Sequence, residues 1–506
     1  MNRKIGVVYS FLLMLFEIFS TLILTPFVIQ TLGQSEYGVY KLVASLNSYL
    51  LLLDLGVGNA IIRYISKYRA ENNNDKIKVF LGITTIYYII ISVLTIIIGI
   101  ILVISIPYAF VKGLNSIEIS LAQKLLFIMI INTILVLLST TYSHALIAYE
   151  RFSVSKGVSI LSVIIRIIAV YYILHIGLGS FGIVCVNLGI TVINKTFVIL
   201  YVIINLKLLP NFNFKTFDFS MIKEIIIYTS YILLQVIATQ LNSSVDQILI
   251  GICIPVSAII IGIYSIGTQI TQYFLSLGSA FNGVLMPGIM RLFHQNPTSE
   301  QLTAELIKIS RIIFMVLFFA WGVFATQGKS FVQLWAGKNN ISAYYVAFIL
   351  MMVYSFSISS SIGSQMLWAI NKHKYQAIMK IGIVISNVIL TIFLIKINAL
   401  YGATIGTFLS LLLGDVFVMM IIFHKELKIN VFMYVLKTIK GIMPCVFIVI
   451  LVGIIINPYF KCTWGGLIIK VLILTFVYGI IMFSWGMNNY ERLLVLSFMK
   501  NKKFTR

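Results

Sequence analysis

Runs of about twenty apolar residues recur along the whole of this chain, and one of them, Ile83 to Ile106, carries no charged residue. In hydrocarbon every backbone N–H and C=O must find its partner within protein, which leaves helices and closed barrels. Barrel strands are about ten residues long and alternate strictly, so continuous runs of this length dictate helices. The composition agrees: 60% hydrophobic and 10% charged over 506 residues, with mean hydropathy +1.03. Soluble domains stand nearer half and a quarter. The chain is read as an all-α polytopic membrane protein. A soluble enzyme, a disordered chain, a coiled coil and a disulfide scaffold, for which four Cys are too few, are excluded.

Apolar windows predict about fourteen transmembrane helices, near residues 5–30, 40–62, 79–104, 122–148, 157–174, 180–204, 224–250, 259–290, 308–328, 343–370, 377–396, 400–423, 441–459 and 465–487. Treating the link from His175 to Gly179 as part of a bent hairpin brings the count nearer twelve. The first run lacks a small-residue cleavage site and is read as an uncleaved helix. With the N-terminus inside, most of the 37 Lys and Arg fall in cytoplasmic loops, richest at Arg63 to Lys78, His424 to Lys440 and Lys500 to Arg506. This predicts that both termini are cytoplasmic. The net charge of +22 is then matched to anionic membrane lipids. No nucleic-acid partner is expected, because no extramembrane stretch is long enough to fold as a binding domain. The five His and the four Cys lack metal-ligand spacing, and no Walker A sequence occurs. No catalytic residue, metal or cofactor is therefore expected.

An offset of about 220 residues brings three segments into register. Gly38-Val-Tyr40 matches Gly262-Ile-Tyr264, Ile147 to Arg151 matches Trp368 to Lys372, and Phe181-Gly-Ile-Val184 matches Tyr401-Gly-Ala-Thr404. Six helices per copy is an even number, so the copies share one orientation, as two parallel bundles that rock to give alternating access would. The expected organisation is an N-terminal six-helix lobe over 1–205 and a second over 206–424. Helices 13 and 14 with a basic tail occupy 425–506.

Charge at membrane depth costs at least about 2.5 kcal/mol per residue at a helix centre, so each instance marks a functional candidate. Glu17, Asp54, Arg166, Lys195, Asp246 and Asp415 are such instances. In the seventh helix Gln235, Thr239, Asn242 and Asp246 share one stripe with Tyr228 and Tyr231; the eighth carries Gln269, Gln272, Tyr273 and Ser276. Ser159 and Ser162 accompany Arg166, and Asn187, Thr191 and Asn194 accompany Lys195. Arg63, Arg166, Lys195, Asn242, Gln269, Tyr273 and Arg291 are the substrate-binding candidates; Glu17, Asp54 and Asp246 are those for an ion. The competing reading is that hydroxyls and amides only join helices, and that Arg63 and Arg291 are snorkelling anchors at helix ends. Amides, hydroxyls and rings suit a sugar, and cations suit phosphate or an acidic sugar.

Leu24 to Tyr40 (LTPFVIQTLGQSEYGVY), Leu52 to Tyr64 (LLDLGVGNAIIRY) and Gln327 to Gly337 (QGKSFVQLWAG) resemble the polysaccharide-export flippases of the Wzx type, within the multidrug/oligosaccharidyl-lipid/polysaccharide (MOP) exporter superfamily. The resemblance implies two lobes forming a V around a charged cavity. It implies movement of an undecaprenyl-pyrophosphate-linked oligosaccharide, an O-antigen or capsule repeat unit, from the cytoplasmic to the outer leaflet of the cytoplasmic (inner) membrane, without nucleotide hydrolysis. Coupling to a proton or sodium gradient is implied too, as are partners in a polysaccharide polymerase and a chain-length regulator. Only Asp54, Gly56, Gly58 and Arg63 are carried over from the motif. A cation-coupled exporter of small molecules and a non-transport scaffold of a polysaccharide assembly complex are the alternatives.

Overall fold

The computed structural model describes residues 2–54, 56–212, 236–242, 244–293, 297–370, 372 and 374–499, the side chains at 2–7, 279–292 and 497–499 excepted. Every regular element among them is helical. Among the described residues twelve runs are long and apolar enough to cross a membrane, and a bent helix pair adds a thirteenth. The first of the twelve, Val8–Ala70, has 63 residues, three times what one crossing needs. The chain is a multi-pass α-helical membrane protein. It divides into two compact units, Met1–Gly262 and Ile263–Arg506.

Unit 1 opens with α1 (Asn2–Leu50), where the reading above expects a connection over 31–39. Helix instead continues on both sides of a single turning residue, Gly33, at φ 76° and ψ 172°. That region of the backbone map is open to glycine. The second expected helix, 40–62, is also not continuous. A 3-10 turn, Leu51–Asp54, interrupts it, and Gly56, at φ 72°, starts α2 (Val57–Ala70). Next come α3 (Asn74–Ala109), begun by the Asn73 side chain, and α4 (Ser116–Ala148), begun by a capping box between Asn115 and Glu118. Then follow α5 (Phe152–His175), α6 (Gly179–Ile204) and α7 (Val236–Asn242 with Ser244–Cys253), bent by 45°.

At 1.5 Å per residue, α3 is about 54 Å long and overruns a hydrocarbon core of about 30 Å. Its first turns pack with α2 and the end of α4 through Ile61, Ile65, Phe80, Leu81 and Leu146. The basic stretch from Arg63 to Lys78 is thus a packed helical foot rather than a loop.

Helix α8 (Ala258–Phe293) leads into unit 2. There follow α9 (Ser299–Trp335), α10 (Ala343–Ser359), α11 (Ser361–Ala369), α12 (Lys374–Leu394) and α13 (Ala399–Leu411). A π-helical stretch, Leu412–Val418, joins α13 to α14 (Met419–Leu427). The remaining helices are α15 (Val431–Ile439), α16 (Ile442–Ile456), α17 (Trp464–Ile481) and α18 (Asn489–Met499). Phe314 and Phe318 of α9 pack on Cys445 and Val446 of α16 and on Met482. The predicted loop from His424 to Lys440 contains α15, whose Tyr434 hydroxyl donates to Ser310 of α9 at 3.2 Å.

Candidate functional site

In a helix hairpin that crosses a membrane, the costliest residues are cations without a counter-charge. The α5–α6 hairpin of unit 1 holds two near mid-span, Arg166 and Lys195. Neither belongs to an ion pair among the described residues. The hairpin register is set by one interhelical bond, from Asn194 Nδ2 to Ser162 Oγ at 2.8 Å. The Ser162 hydroxyl in turn donates to the Val158 carbonyl at 2.9 Å, so both its capacities are used. Arg166 lies one turn from Ser162, is exposed, and its charge acts on the hydroxyl of Tyr40 in α1. Lys195 follows Asn194 and is half-buried.

Helix α1 lies beside this hairpin, with Phe27 stacked on Tyr171 of α5 at 4.7 Å. Glu17, also on α1, is exposed. On the segment of α1 beyond Gly33, Lys41 is half-buried over the Tyr37 ring at 5.3 Å. Sequence reasoning missed Lys41, because a lysine at the start of an apolar window reads as a helix end.

The ion candidates fall elsewhere in unit 1. Tyr88 donates to Asp54 Oδ1 at 2.5 Å and Tyr87 to the Asp54 carbonyl at 3.3 Å, which holds the break in the second span. Beyond that break Arg63 is exposed on α2, 5.9 Å from the Tyr64 ring. Asp246 is 3% exposed on α7, and its charge acts on the Tyr49 hydroxyl. Around it a polar seam joins α7 to α1. Ser45 donates to Gln247, Ser48 pairs with Ser244 at 3.2 Å, and Gln240 donates to Ser244 at 3.0 Å. Asn242 is half-buried on the same helix. Tyr228, Tyr231 and Gln235 lie outside the described residues, as does the side chain of Arg291.

In unit 2, Gln269 donates to the Tyr273 hydroxyl at 2.9 Å, one turn along α8, and Tyr273 meets the Trp335 ring edge-on at 6.5 Å. The cations of this unit are engaged differently. Lys380 of α12 donates to both oxygens of Asp415 at 2.7 and 2.8 Å, and Ser357 donates to the same carboxylate at 2.9 Å. Arg311 of α9 pairs with Glu491. Lys372, outside the spans, donates to Glu426, a bond that holds its ammonium above the ordinary lysine range. Lys470, 2% exposed on α17, donates to Asn457 at 2.9 Å. Arg311, Lys380 and Lys470 escaped the sequence reading because each falls within about two turns of a predicted helix end, where snorkelling is the ordinary explanation. Among the described residues no group of His, Cys, Asp and Glu forms a metal cluster.

The fold is shared with solved transporters. A lipid II flippase MurJ in an inward closed conformation superposes with TM-score 0.73 at 15% identity, covering 97% of this chain and all of that one. An inward-facing multidrug resistance MATE family transporter of the MOP superfamily gives 0.62 at 15% identity, over 81% of this chain and 95% of the other. A MOP superfamily transporter from Pyrococcus furiosus gives 0.51 at 15% identity, over 84% and 94%. No curated protein matches the chain by sequence. Residues 6–293 match the family model described as polysaccharide biosynthesis protein, and since that is more than half of the 506 residues, the chain belongs to that family.

Proposed function

We propose that this protein is a flippase that carries a lipid-linked oligosaccharide, the repeat unit of an O-antigen, capsule or exopolysaccharide, across the cytoplasmic membrane. Its substrate in this reading is an undecaprenyl-pyrophosphate-linked sugar. The observation that carries the reading is the pair of uncompensated cations on the α5–α6 hairpin, in a chain of the polysaccharide biosynthesis family. Two positive charges kept at membrane depth without carboxylate partners lower stability, and a phosphate-bearing ligand offsets that cost when it binds. The MurJ-like fold supports alternating access, with the sugar and diphosphate in a polar cleft and the polyprenyl tail in lipid.

In this reading the N-terminus is cytoplasmic, Arg166, Lys195 and Arg63 meet the acidic head, and Asn242, Gln269, Tyr273 and Arg291 line the sugar path. A proton or sodium ion taken by Glu17, Asp54 or Asp246 would drive the return step. A polymerase and a chain-length regulator would receive the product.

The test is the sidedness of labelled undecaprenyl-pyrophosphate oligosaccharide in vesicles with and without the protein, read by a membrane-impermeant glycosidase or lectin. Protein-dependent transfer to the far leaflet is the expected result. Unchanged sidedness with folded protein, the cognate glycan and an imposed ion gradient would overturn the reading and put a small-cation exporter in its place.

A further inference from the structure

The two repeats agree down to a single contact. Helices α6 and α13 begin 220 residues apart, at Gly179 and Ala399, and the segments that precede α5 and α12 match at 221, Ile147 to Arg151 against Trp368 to Lys372. Applied to the bond between Ser162 and Asn194, these offsets lead to Ile383 and Gly414. Those two residues touch as well, since a Cβ added to Gly414 would lie 2.1 Å from the Ile383 side chain. The α5–α6 hairpin and the α12–α13 hairpin, the latter with its π stretch, are therefore packed in one register. In that register Lys380 and Asp415 fall on Ser159 and Lys195.

Lys380 stands three residues before Ile383 and Asp415 one after Gly414, and the ammonium meets both carboxylate oxygens at 2.7 and 2.8 Å. Ser159 stands three residues before Ser162 and Lys195 one after Asn194. The second repeat thus carries an ammonium and a carboxylate where the first carries a hydroxyl and an ammonium. We infer that Ser159 adjoins Lys195 and is the residue that decides the charge this hairpin offers. A hydroxyl at 159 leaves the Lys195 ammonium open to an anionic substrate, whereas a carboxylate there would take it up as Asp415 takes up Lys380. For its functional half the inference rests on the flippase reading. A four-carbon lysine stem can span the gap from either helix. The Ser159 hydroxyl donates to the Ser155 carbonyl at 3.0 Å, so its proton is not offered to Lys195 or to a ligand. Ser159 and Lys195 are both half-buried, where an added carboxylate is costly unless a cation meets it.

The test places an acid at 159 and reads folding and transport separately, on full-length protein. Ser159→Asp is expected to melt no lower than wild type and to transfer labelled lipid-linked oligosaccharide at least about tenfold more slowly. Ser159→Asn, uncharged and of similar size to the aspartate, should transfer within about threefold of wild type. In a Lys195→Met background Ser159→Asp should lower the melting midpoint by about 3 °C or more. That comparison assigns the partner to Lys195 rather than to Lys156, one turn back on α5. Should Ser159→Asp fail to fold, the exchange Ser159→Lys/Lys195→Asp, which rebuilds the unit 2 pair in its own order, is expected to give more folded protein than Lys195→Asp alone. Equal effects of Ser159→Asp on melting with and without Lys195, an exchange no better folded than Lys195→Asp, or undiminished transfer by folded Ser159→Asp would each overturn the inference. A wild type that transfers no lipid-linked oligosaccharide removes the flippase reading and the functional half with it, while the melting comparison still decides whether 159 and 195 adjoin.

Discussion

The guanidinium of Arg311 donates to both carboxylate oxygens of Glu491, at 2.6 and 3.1 Å, and to the carbonyls of Lys437, Lys440 and Gly486. One side chain of α9 thereby ties together the end of α15, the turn at Gly441 and the start of α18. Arg311 and Glu491 are both buried.

Removing one partner of such a pair strands the other charge, which costs about 3–5 kcal/mol. Glu491→Ala is therefore expected to lower the thermal midpoint of detergent-solubilised protein severely, and Arg311→Met to do the same by leaving three carbonyls and a carboxylate without their donor. Lys308→Ala is the control. Its contacts, a bond to half-buried Glu305, 3.3 Å away and three residues back on α9, and a place 4.6 Å from the Tyr490 ring, are each worth at most about 1 kcal/mol. A Glu491→Ala midpoint close to that of Lys308→Ala would refute the assignment.

The Lys380–Asp415 pair differs in having a bulged helix beneath it. The π stretch Leu412–Val418 includes Asp415, and Gly414 beside it faces Ile383 so closely that a Cβ would lie 2.1 Å from that side chain. Lys380→Met and Asp415→Leu should each destabilise unit 2, while the double substitution should recover most of the loss, since two apolar residues often replace a buried pair at little cost. A double-mutant cycle on unfolding midpoints is expected to show about 1–3 kcal/mol of coupling. Additive losses would show that the two side chains stabilise the unit independently.

The apolar windows made the helices legible, because hydrophobic length is a property of twenty residues at once. They could not reveal where one residue interrupts a helix. At Gly33 the chain turns without leaving helix on either side, and at Asp54 to Gly56 it breaks inside a span that reads as continuous. Each break depends on a single glycine φ, and the second also on a partner distant in sequence, Tyr88, 34 residues from Asp54. Arg166 and Lys195 were legible as candidates because they stand in mid-span. That Lys380 and Arg311 are neutralised was not, because Asp415 is 35 residues from Lys380 and Glu491 is 180 from Arg311.

Glycine repeats offered a further clue whose meaning is structural. Gly38, one of the matched motif positions, lies where an added Cβ would come within 1.7 Å of the Ala258 carbonyl oxygen, which is backbone and cannot swing away. Gly38→Ala should therefore force α1 and the start of α8 apart and reduce the yield of folded protein. Gly157, on α5, has nothing within 4 Å of the same position. Gly157→Ala should raise stability by about 0.5–1 kcal/mol through helix propensity alone. Measuring folded yield and melting for both variants separates a packing requirement from a propensity effect. Equal behaviour would show that the crossing at Gly38 tolerates expansion.

Stability and transport should part company at Arg166 and Lys195. A cation at membrane depth with no counter-charge opposes folding, so replacing it by a neutral residue of similar length should leave the melting midpoint unchanged or raise it. Retention of such residues at a stability cost is the pattern expected where binding needs them. The double variant Arg166→Gln/Lys195→Gln should thus accumulate in the membrane at the wild-type level, melt no lower, and flip labelled lipid-linked oligosaccharide at least about tenfold more slowly, a loss of about 1.4 kcal/mol in transport. This is the reverse of the outcome at Arg311 and Lys380, where neutralisation removes a made bond and should damage folding before function. Sidedness measurements and thermal melts on the four single variants and the double test the distinction. Undiminished flipping by Arg166→Gln/Lys195→Gln at normal abundance would show that the uncompensated charge of unit 1 does not serve the substrate.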